Sequence, residues 1–228
     1  SLFFYFKLKI GKLNSKEIEF FILDIFLKKR DNFIDVGSNI GRYSFEASKI
    51  VGNKGKVYSF EPLKEIFIIQ TLLIKMTGLQ NIINFNLALS NQTRLINFKV
   101  IPTNSQKFFL FNTLTQSKIS KLGTVNNYSF TLDKFNFKKI KLIKIDCEGE
   151  EINILKGSIN TIKKSHPVLI IEENKDKNKI IKYLKNYGYF FIKISNSRNI
   201  IFLKKNEYNN IMKKLSLLNI SIDSMLKN

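Results

Sequence analysis

The stretch Asn32–Ile50, "NFIDVGSNIGRYSFEASKI", decides the fold. Phe33, Ile34 and Val36 read as a buried strand, with Asp35 near its carboxyl end. Gly37, Ser38, Asn39, Ile40 and Gly41 read as a turn, and Arg42 to Ile50 carries apolar residues at helical spacing. A strand, glycine turn and helix in succession bring backbone N–H groups and a helix dipole to one point above a sheet. Such a junction predicts a bound ligand.

Working outward, the same alternation repeats. After the polar turn "VGNKGK", residues 57–60 read as a second strand closed by Glu61 and Pro62. Residues 64–77 read as a helix and 82–88 as a third strand. Residues 91–140 break the rhythm: a strand in "TRLINFKV", a polar stretch holding the apolar run "KFFLFNTL", then a strand and turn in "YSFTLDKF". An insertion at that point lies over the carboxyl edge of the sheet, where substrates are met. "KLIKID" is the fourth strand, ending at Asp146, and 151–163 reads as one helix with Gly157 inside it. "PVLIIEE" is the fifth strand, and 177–186 a short helix. "YFFIKIS" and "NIIFLKK" form a hairpin through "NSR", and 207–216 a last helix. Upstream, 17–29 predicts one amphipathic helix. The pattern is an α/β fold, a mostly parallel, doubly wound sheet with a C-terminal antiparallel hairpin. It divides into a helical lead-in over 1–30 and one domain over 31–228, with the insertion at 91–140.

The totals narrow the class. With 228 residues and 44% hydrophobic content, one sizeable core is expected. The single Cys147 excludes an internal disulfide framework and suits a reducing, cytoplasmic setting. No apolar run reaches the ~20 residues that span a bilayer. The chain opens on Ser1, which leaves an upstream anchor or domain open. The formal charge of +20 predicts weak, non-specific attraction to polyanions. Arg occurs only at positions 30, 42, 94 and 198, however, and base-reading sites favour Arg. A specific nucleic-acid partner is therefore not expected. Oligomeric state is not readable.

Three cofactor classes favour a glycine turn after the first strand. A phosphate-gripping NTPase loop needs a Gly-rich run ending in Gly-Lys-Ser/Thr, which is missing here. The dinucleotide pattern needs a glycine two residues after Gly37, where Asn39 stands. S-adenosylmethionine has no phosphate; Asp35 suits its positive end, and Glu61 is placed to accept its ribose hydroxyls. The alternative is an ordinary tight turn with Glu61 as a solvated strand end.

"FIDVGSNIGRYS", "VYSFEP", "NLALS", "FTLDKF", "LIKIDCEGEEINILKG" and "HPVLIIEE" occur in that order and together resemble the FkbM family of S-adenosylmethionine-dependent methyltransferases, from about Asn32 to Glu173. The resemblance implies a Rossmann-like methyltransferase fold. It implies O-methylation of hydroxyl groups on sugars, glycans, polyketides and similar natural products. It puts Asp35, Gly37, Asn39 and Gly41, with Ser38 in the same turn, at the methionine end of the cofactor. Glu61 would hold the ribose and Ala88 would lie by the adenine. Asp146, Glu148 and Gly149 would lie beside the transferring methyl, with Glu172 closing the far side. The family often has an aliphatic residue where Cys147 stands, so Cys147 reads as a packing residue.

A sugar hydroxyl has a high pKa, so a base that takes its proton as the bond forms would help. Asp146, Glu148 and then Glu172 are the candidates. Lys144 shares a strand face with Asp146. Glu150 and Glu151 read as a solvated helix start. Asp146, Glu148 and Glu172 could instead meet around Mg²⁺, but the metal-free reading is preferred. His166 precedes the fifth strand, at the wrong end for ligands, and reads as structural. Tyr43 and Ser44 either line the pocket or pack. The competing functions are methylation of an RNA ribose 2′-hydroxyl, and a binding domain without catalysis.

Overall fold

The computed structural model describes residues 18–99 and 124–225. The run "KFFLFNTL" and most of the polar part of the insertion lie outside them, as do the first seventeen residues.

An eight-stranded sheet runs in the order β3-β2-β1-β7-β8-β10-β9-β11. Its strands are β1 Asn32–Val36, β2 Lys56–Phe60, β3 Ile82–Phe85, β7 Ile140–Ile145, β8 Val168–Glu172, β9 Tyr189–Ile194, β10 Asn199–Lys204 and β11 Ile222–Met225. The five from β3 to β8 are parallel; β10, β9 and β11 continue antiparallel. Both faces of the sheet are covered, so its central strands are mostly apolar. Phe33, Val57 and Leu142 pack on one face, while Ile34, Val36, Ile143 and Ile145 pack on the other. This is the Rossmann-like arrangement, with the antiparallel hairpin the sequence predicts and one further edge strand.

The pleat sets the position of the polar residues. In register, Phe33 lies beside Val57 and Leu142; two residues on, Asp35 lies beside Ser59 and Lys144. An apolar row therefore gives way to a buried polar row at the carboxyl edge, all three of its side chains at most 3% exposed.

Several elements differ from the sequence reading. The lead-in is not one helix. It forms two four-residue turns, Ile18–Phe21 (α1) and Leu23–Phe26 (α2), and Leu27 is extended. The break falls at Ile22, whose φ of −118° and ψ of 22° leave the helical region. The third strand stops at Phe85. Asn86 Nδ2 donates to the carbonyls of Glu61 and Pro62 (2.9 and 3.0 Å), and the chain leaves the sheet. Ala88–Leu89 (β4) joins a small second sheet with β5 Arg94–Lys99 and β6 Thr124–Phe130, in the order β4-β6-β5.

The helix predicted over 151–163 is two helices, Glu151–Lys156 (α5) and Ile159–Ser165 (α6). A Cβ on Gly157 would lie 2.1 Å from the Ser90 carbonyl oxygen, so the second sheet's lead strand passes against the chain at this break. Asp133 restarts the helix: its carboxylate accepts N–H bonds from Asn160 and Thr161 (2.9 and 2.7 Å). The helices Arg42–Val51 (α3), Lys64–Thr77 (α4), Lys177–Lys185 (α7) and Lys205–Leu217 (α8) lie close to their expected positions. Among the described residues, no helix is long and apolar enough to cross a membrane.

Candidate active site

The turn after β1 is tied down by its own hydrogen bonds. Gly37 and Ser38 N–H donate to the Phe60 carbonyl, Asn39 N–H to Glu61 Oε2 (2.9 Å), Ile40 N–H to Asn39 Oδ1 and Gly41 N–H to the Ser38 carbonyl. The N–H groups expected to be free are thus engaged, and the turn is no anion cradle. Its glycines are required by shape. Gly37 and Gly41 have φ of +73° and +90°, and a Cβ on Gly37 would meet the Asp146 carbonyl oxygen at 2.0 Å. The turn after β1 and the end of β7 are in backbone contact there.

Behind the turn lies a buried polar network. Ser38 Oγ donates to Gln70 Oε1, Gln70 Nε2 donates to Ser59 Oγ, and Ser59 Oγ donates to Asn84 Oδ1. Ser44 is buried and donates to Asp35 Oδ2 at 2.7 Å. Tyr43 packs its ring 4.6 Å from Lys144 Nζ. Asp35 Oδ1 is buried with no hydrogen-bond partner among the described residues. Burial pushes the Asp35 carboxyl above its ordinary value, against the pull of Lys144 and Ser44. Such an oxygen awaits a donor or a cation.

Glu61 ends β2 and is 5% exposed. Oε2 accepts from Asn39 N–H and Oε1 from Leu63 N–H, both at 2.9 Å. Each oxygen keeps lone-pair capacity for a hydroxyl. Burial raises its pKa to about 7.

The other acids of the site come from the carboxyl ends of β7 and β8 and the turn after β7. Lys144, 3% exposed, places Nζ 2.8 Å from Asp146 Oδ2. Burial pushes Asp146 up, but the charge and hydrogen bond of Lys144, a hydrogen bond with Glu172 and the charge of Arg198 outweigh it and hold the carboxyl below its ordinary value. Its neighbour Glu172 moves the other way, to about 8, through burial and the Asp146 charge. The close pair shares a proton, with Asp146 the more readily ionised of the two. Glu148, in a left-handed turn at φ +50°, is half-buried and is also pushed up, by burial and then by Asp146. Asp146, Glu148 and Glu172 each offer an oxygen within 4.8 Å of the other two. A divalent cation held there would compete with the Lys144 ammonium and the shared proton.

Two acids correct the sequence reading. Glu151 is fully buried rather than solvated: it accepts from Cys147 N–H (2.9 Å), from Gly149 N–H and from Asn174 Nδ2, and so shapes the turn that carries Glu148. Glu150 accepts from Ser90 Oγ (3.0 Å) and lines the cavity. Arg198, in the β9–β10 turn, also lines it, and no local motif marks it as a site residue. Burial and the neighbouring acids push the Cys147 thiol up, so it is no thiolate nucleophile. His166 caps α6 at the opposite end of the sheet, as its position predicts.

One cavity of about 250 Å³ joins these groups. Asp35, Gly37, Ser38, Asn39, Glu61, Ala88, Asp146, Glu148 and Glu172 all line it. Gly41 does not; it shapes the turn, with Gln70 close behind it.

The model of the methyltransferase FkbM domain matches residues 35–191. The chain belongs to the FkbM methyltransferase family. It is an S-adenosylmethionine-dependent methyltransferase domain, and the unpartnered buried oxygen of Asp35 fits a cofactor with a cationic end. Solved structures share the fold. The methyltransferase FkbM of Methylobacillus flagellatus KT is 17% identical with a TM-score of 0.55, over 75% of this chain and 43% of that one. The chain thus spans less than half of that protein's length. A candidate rRNA methylase from Clostridium thermocellum is 12% identical with a TM-score of 0.54, over 83% and 96% of the two chains. Fibrillarin of Aeropyrum pernix, solved with S-adenosyl-L-methionine natively bound, is 10% identical with a TM-score of 0.50, over 81% and 73%. No curated protein matches the sequence.

Proposed function

We propose that this FkbM domain transfers a methyl group to a hydroxyl of a sugar, glycan or related natural product. The observation that carries this reading is the meeting of Asp146, Glu148 and Glu172 within 4.8 Å, in the cavity that the glycine turn also lines. S-adenosylmethionine supplies an electrophilic methyl on a sulfonium; a hydroxyl supplies the oxygen and must lose its proton.

Asp35 would take the ammonium end of the cofactor, with the turn 37–41 fixing its approach. Glu61 would accept the ribose hydroxyls, and Ala88 would face the base. On the acceptor side the three acids divide the work. Asp146 is locked ionised by Lys144 and is a weak base, suited to orienting the acceptor or the cofactor. Glu172, pushed up by burial and by Asp146, is the more readily protonated of the pair and in that form donates a hydrogen bond. Glu148 has its pKa raised, and a stronger carboxylate base receives the hydroxyl proton better. Alignment and exclusion of water supply the rest.

The test is product analysis. Radiolabelled S-adenosylmethionine is incubated with the protein and pools of sugars, glycans and RNA, and labelled products are treated with mild base. Methyl ethers on sugar hydroxyls, stable to base, are the expected result. Label found only on nitrogen, on carboxyl groups or on RNA would overturn the assignment.

A further inference from the structure

Among the described residues, three cations line the cavity: Arg42, Lys144 and Arg198. Two of the chain's four arginines are thus at the site, against one lysine among the described residues, in a chain in which lysine dominates the basic residues. Two of the three have visible structural work. Lys144 is buried against Asp146, and Arg42 stacks on the Phe20 ring at 5.1 Å. Arg198 is exposed at the cavity, and its charge reaches both Asp146 and Glu148.

The turn that carries Arg198 is held from several sides. Its carbonyl accepts from Glu173 N–H at 2.8 Å, next to Glu172. Ser197 N–H donates to the Ile194 carbonyl, and Asn199 N–H to Ser197 Oγ at 2.8 Å. The two residues flanking Arg198 are clamped by Glu19, a fully buried acid from the lead-in segment. Ser197 Oγ donates to Glu19 Oε1, and Asn199 Nδ2 to Glu19 Oε2 at 3.3 Å. A carboxylate taken 178 residues along the chain to fix a surface turn must be offset by those bonds. The result is an arginine on a rigid base, beside the three acids of the acceptor side.

We propose that Arg198 is an anion-binding group for the acceptor, so that the molecule methylated carries a carboxylate or a phosphate near its reacting hydroxyl. The inference rests on the hydroxyl-transfer reading above. An arginine offers a planar fork of donors that matches both oxyanions, where a lysine would offer only a point charge. Lys144 pairs with Asp146 and so offsets one of the neighbouring acid charges. The overall charge of +20 would also steer an anion toward the protein, an effect that salt weakens. Glu19 is a positioning residue, acting through Ser197 and Asn199.

The test is calorimetry on the chain loaded with S-adenosylhomocysteine, titrated with glucuronate, glucose 6-phosphate and uncharged methyl glucoside. One or both anionic sugars should bind roughly tenfold or more tightly than methyl glucoside, as charge-assisted bonds are about twice as strong as neutral ones. Which of the two binds better tells carboxylate from phosphate. Arg198→Gln should abolish the preference, and Arg198→Lys should keep only part of it. Glu19→Gln, with Ser197→Ala as the gentler variant, should shrink the preference without changing S-adenosylhomocysteine affinity. Equal affinity for all three sugars, no binding of either anion, or an unchanged preference in Arg198→Gln would overturn the proposal. Failure of S-adenosylhomocysteine to bind in the loading step would instead strike the methyltransferase reading beneath it.

Discussion

The two ends of the cavity are built on different principles. The donor end is mostly backbone: a hydrogen-bonded turn, two glycines at positive φ, and acids held by main-chain N–H groups or by Ser44. The acceptor end is mostly side chain. Asp146, Glu148, Glu172 and Arg198 come from the turn after β7, the end of β8 and the β9–β10 turn, and each is partly or fully exposed. A backbone-built site tolerates few shapes and suits an invariant ligand. A side-chain site can be retuned one residue at a time, as a fold that serves many acceptors needs.

The comparison predicts that mutations at the two ends separate chemistry from cofactor affinity, and the largest effect belongs to the acceptor end. Glu148→Gln should lower the methyl-transfer rate by roughly 10²–10⁴, the range for a lost general base. Affinity for S-adenosylhomocysteine should stay near wild type. Asp146→Asn should also slow transfer, but it should disturb cofactor affinity as well, because Asp146 touches the donor turn through its backbone and Lys144 through its carboxylate. Single-turnover rates and calorimetry on both variants decide this. Wild-type rates in Glu148→Gln would move the base to Asp146 or Glu172.

Lys144 stands between the two ends, and removing it should break both. Its ammonium is the buried countercharge for Asp146 and acts on Asp35 across the adjoining strand. Lys144→Met leaves those acids uncompensated, which for a buried pair costs about 3–5 kcal/mol of stability. Urea unfolding should show that loss with an unchanged m-value. A variant as stable as wild type would mean that both carboxyls simply take up protons.

At the donor end, Glu61→Ala should weaken S-adenosylhomocysteine binding by roughly 1.5–3 kcal/mol, the scale of hydrogen bonds to a charged group. It should leave the rate from saturated cofactor less affected than Glu148→Gln does. Equal losses at both positions would erase the distinction between the ends.

The same contrast explains what could be read from the sequence. Strand, glycine turn, helix and the acids at strand ends are local patterns, so Asp35, Gly37, Glu61 and Asp146 were legible. Glu151 was not, because acids at helix starts are usually solvated; its burial depends on Asn174, 23 residues on. Arg198 sits in a polar turn with no local mark, and its fixed position depends on Glu19 at the other end of the chain. The break at Gly157 needs the Ser90 carbonyl, which no local pattern announces. Asp133 shows the converse: it belongs to the family-like "TLD" run, yet its visible work is to cap α6. Asp133→Ala should cost about 1–2 kcal/mol of stability, as lost caps do, with no change in the rate of the folded fraction.

The smallest effect expected is a dependence of cofactor affinity on pH, and it tests the donor end alone. Burial raises Glu61 to about 7, above the ordinary value of 4.5. Between those two values the folded protein holds a proton that the unfolded chain has released. Glu61 therefore lowers stability as pH rises through that window, and its ionised form is the one that accepts hydroxyl hydrogen bonds. If the cofactor binds only that form, the competent fraction is about a tenth at pH 6 and about nine-tenths at pH 8, so affinity should rise roughly tenfold, about 1.4 kcal/mol. Binding should release a proton below pH 7, which calorimetry in buffers of different ionisation enthalpy detects. Glu61→Gln should flatten the profile while leaving the acceptor-side dependence of the rate in place. That rate should rise as Glu148 ionises and fall as Glu172 loses its proton near 8. A flat affinity profile in the wild type would mean that the ribose contact does not need the charge, and the donor end would then be held by shape alone.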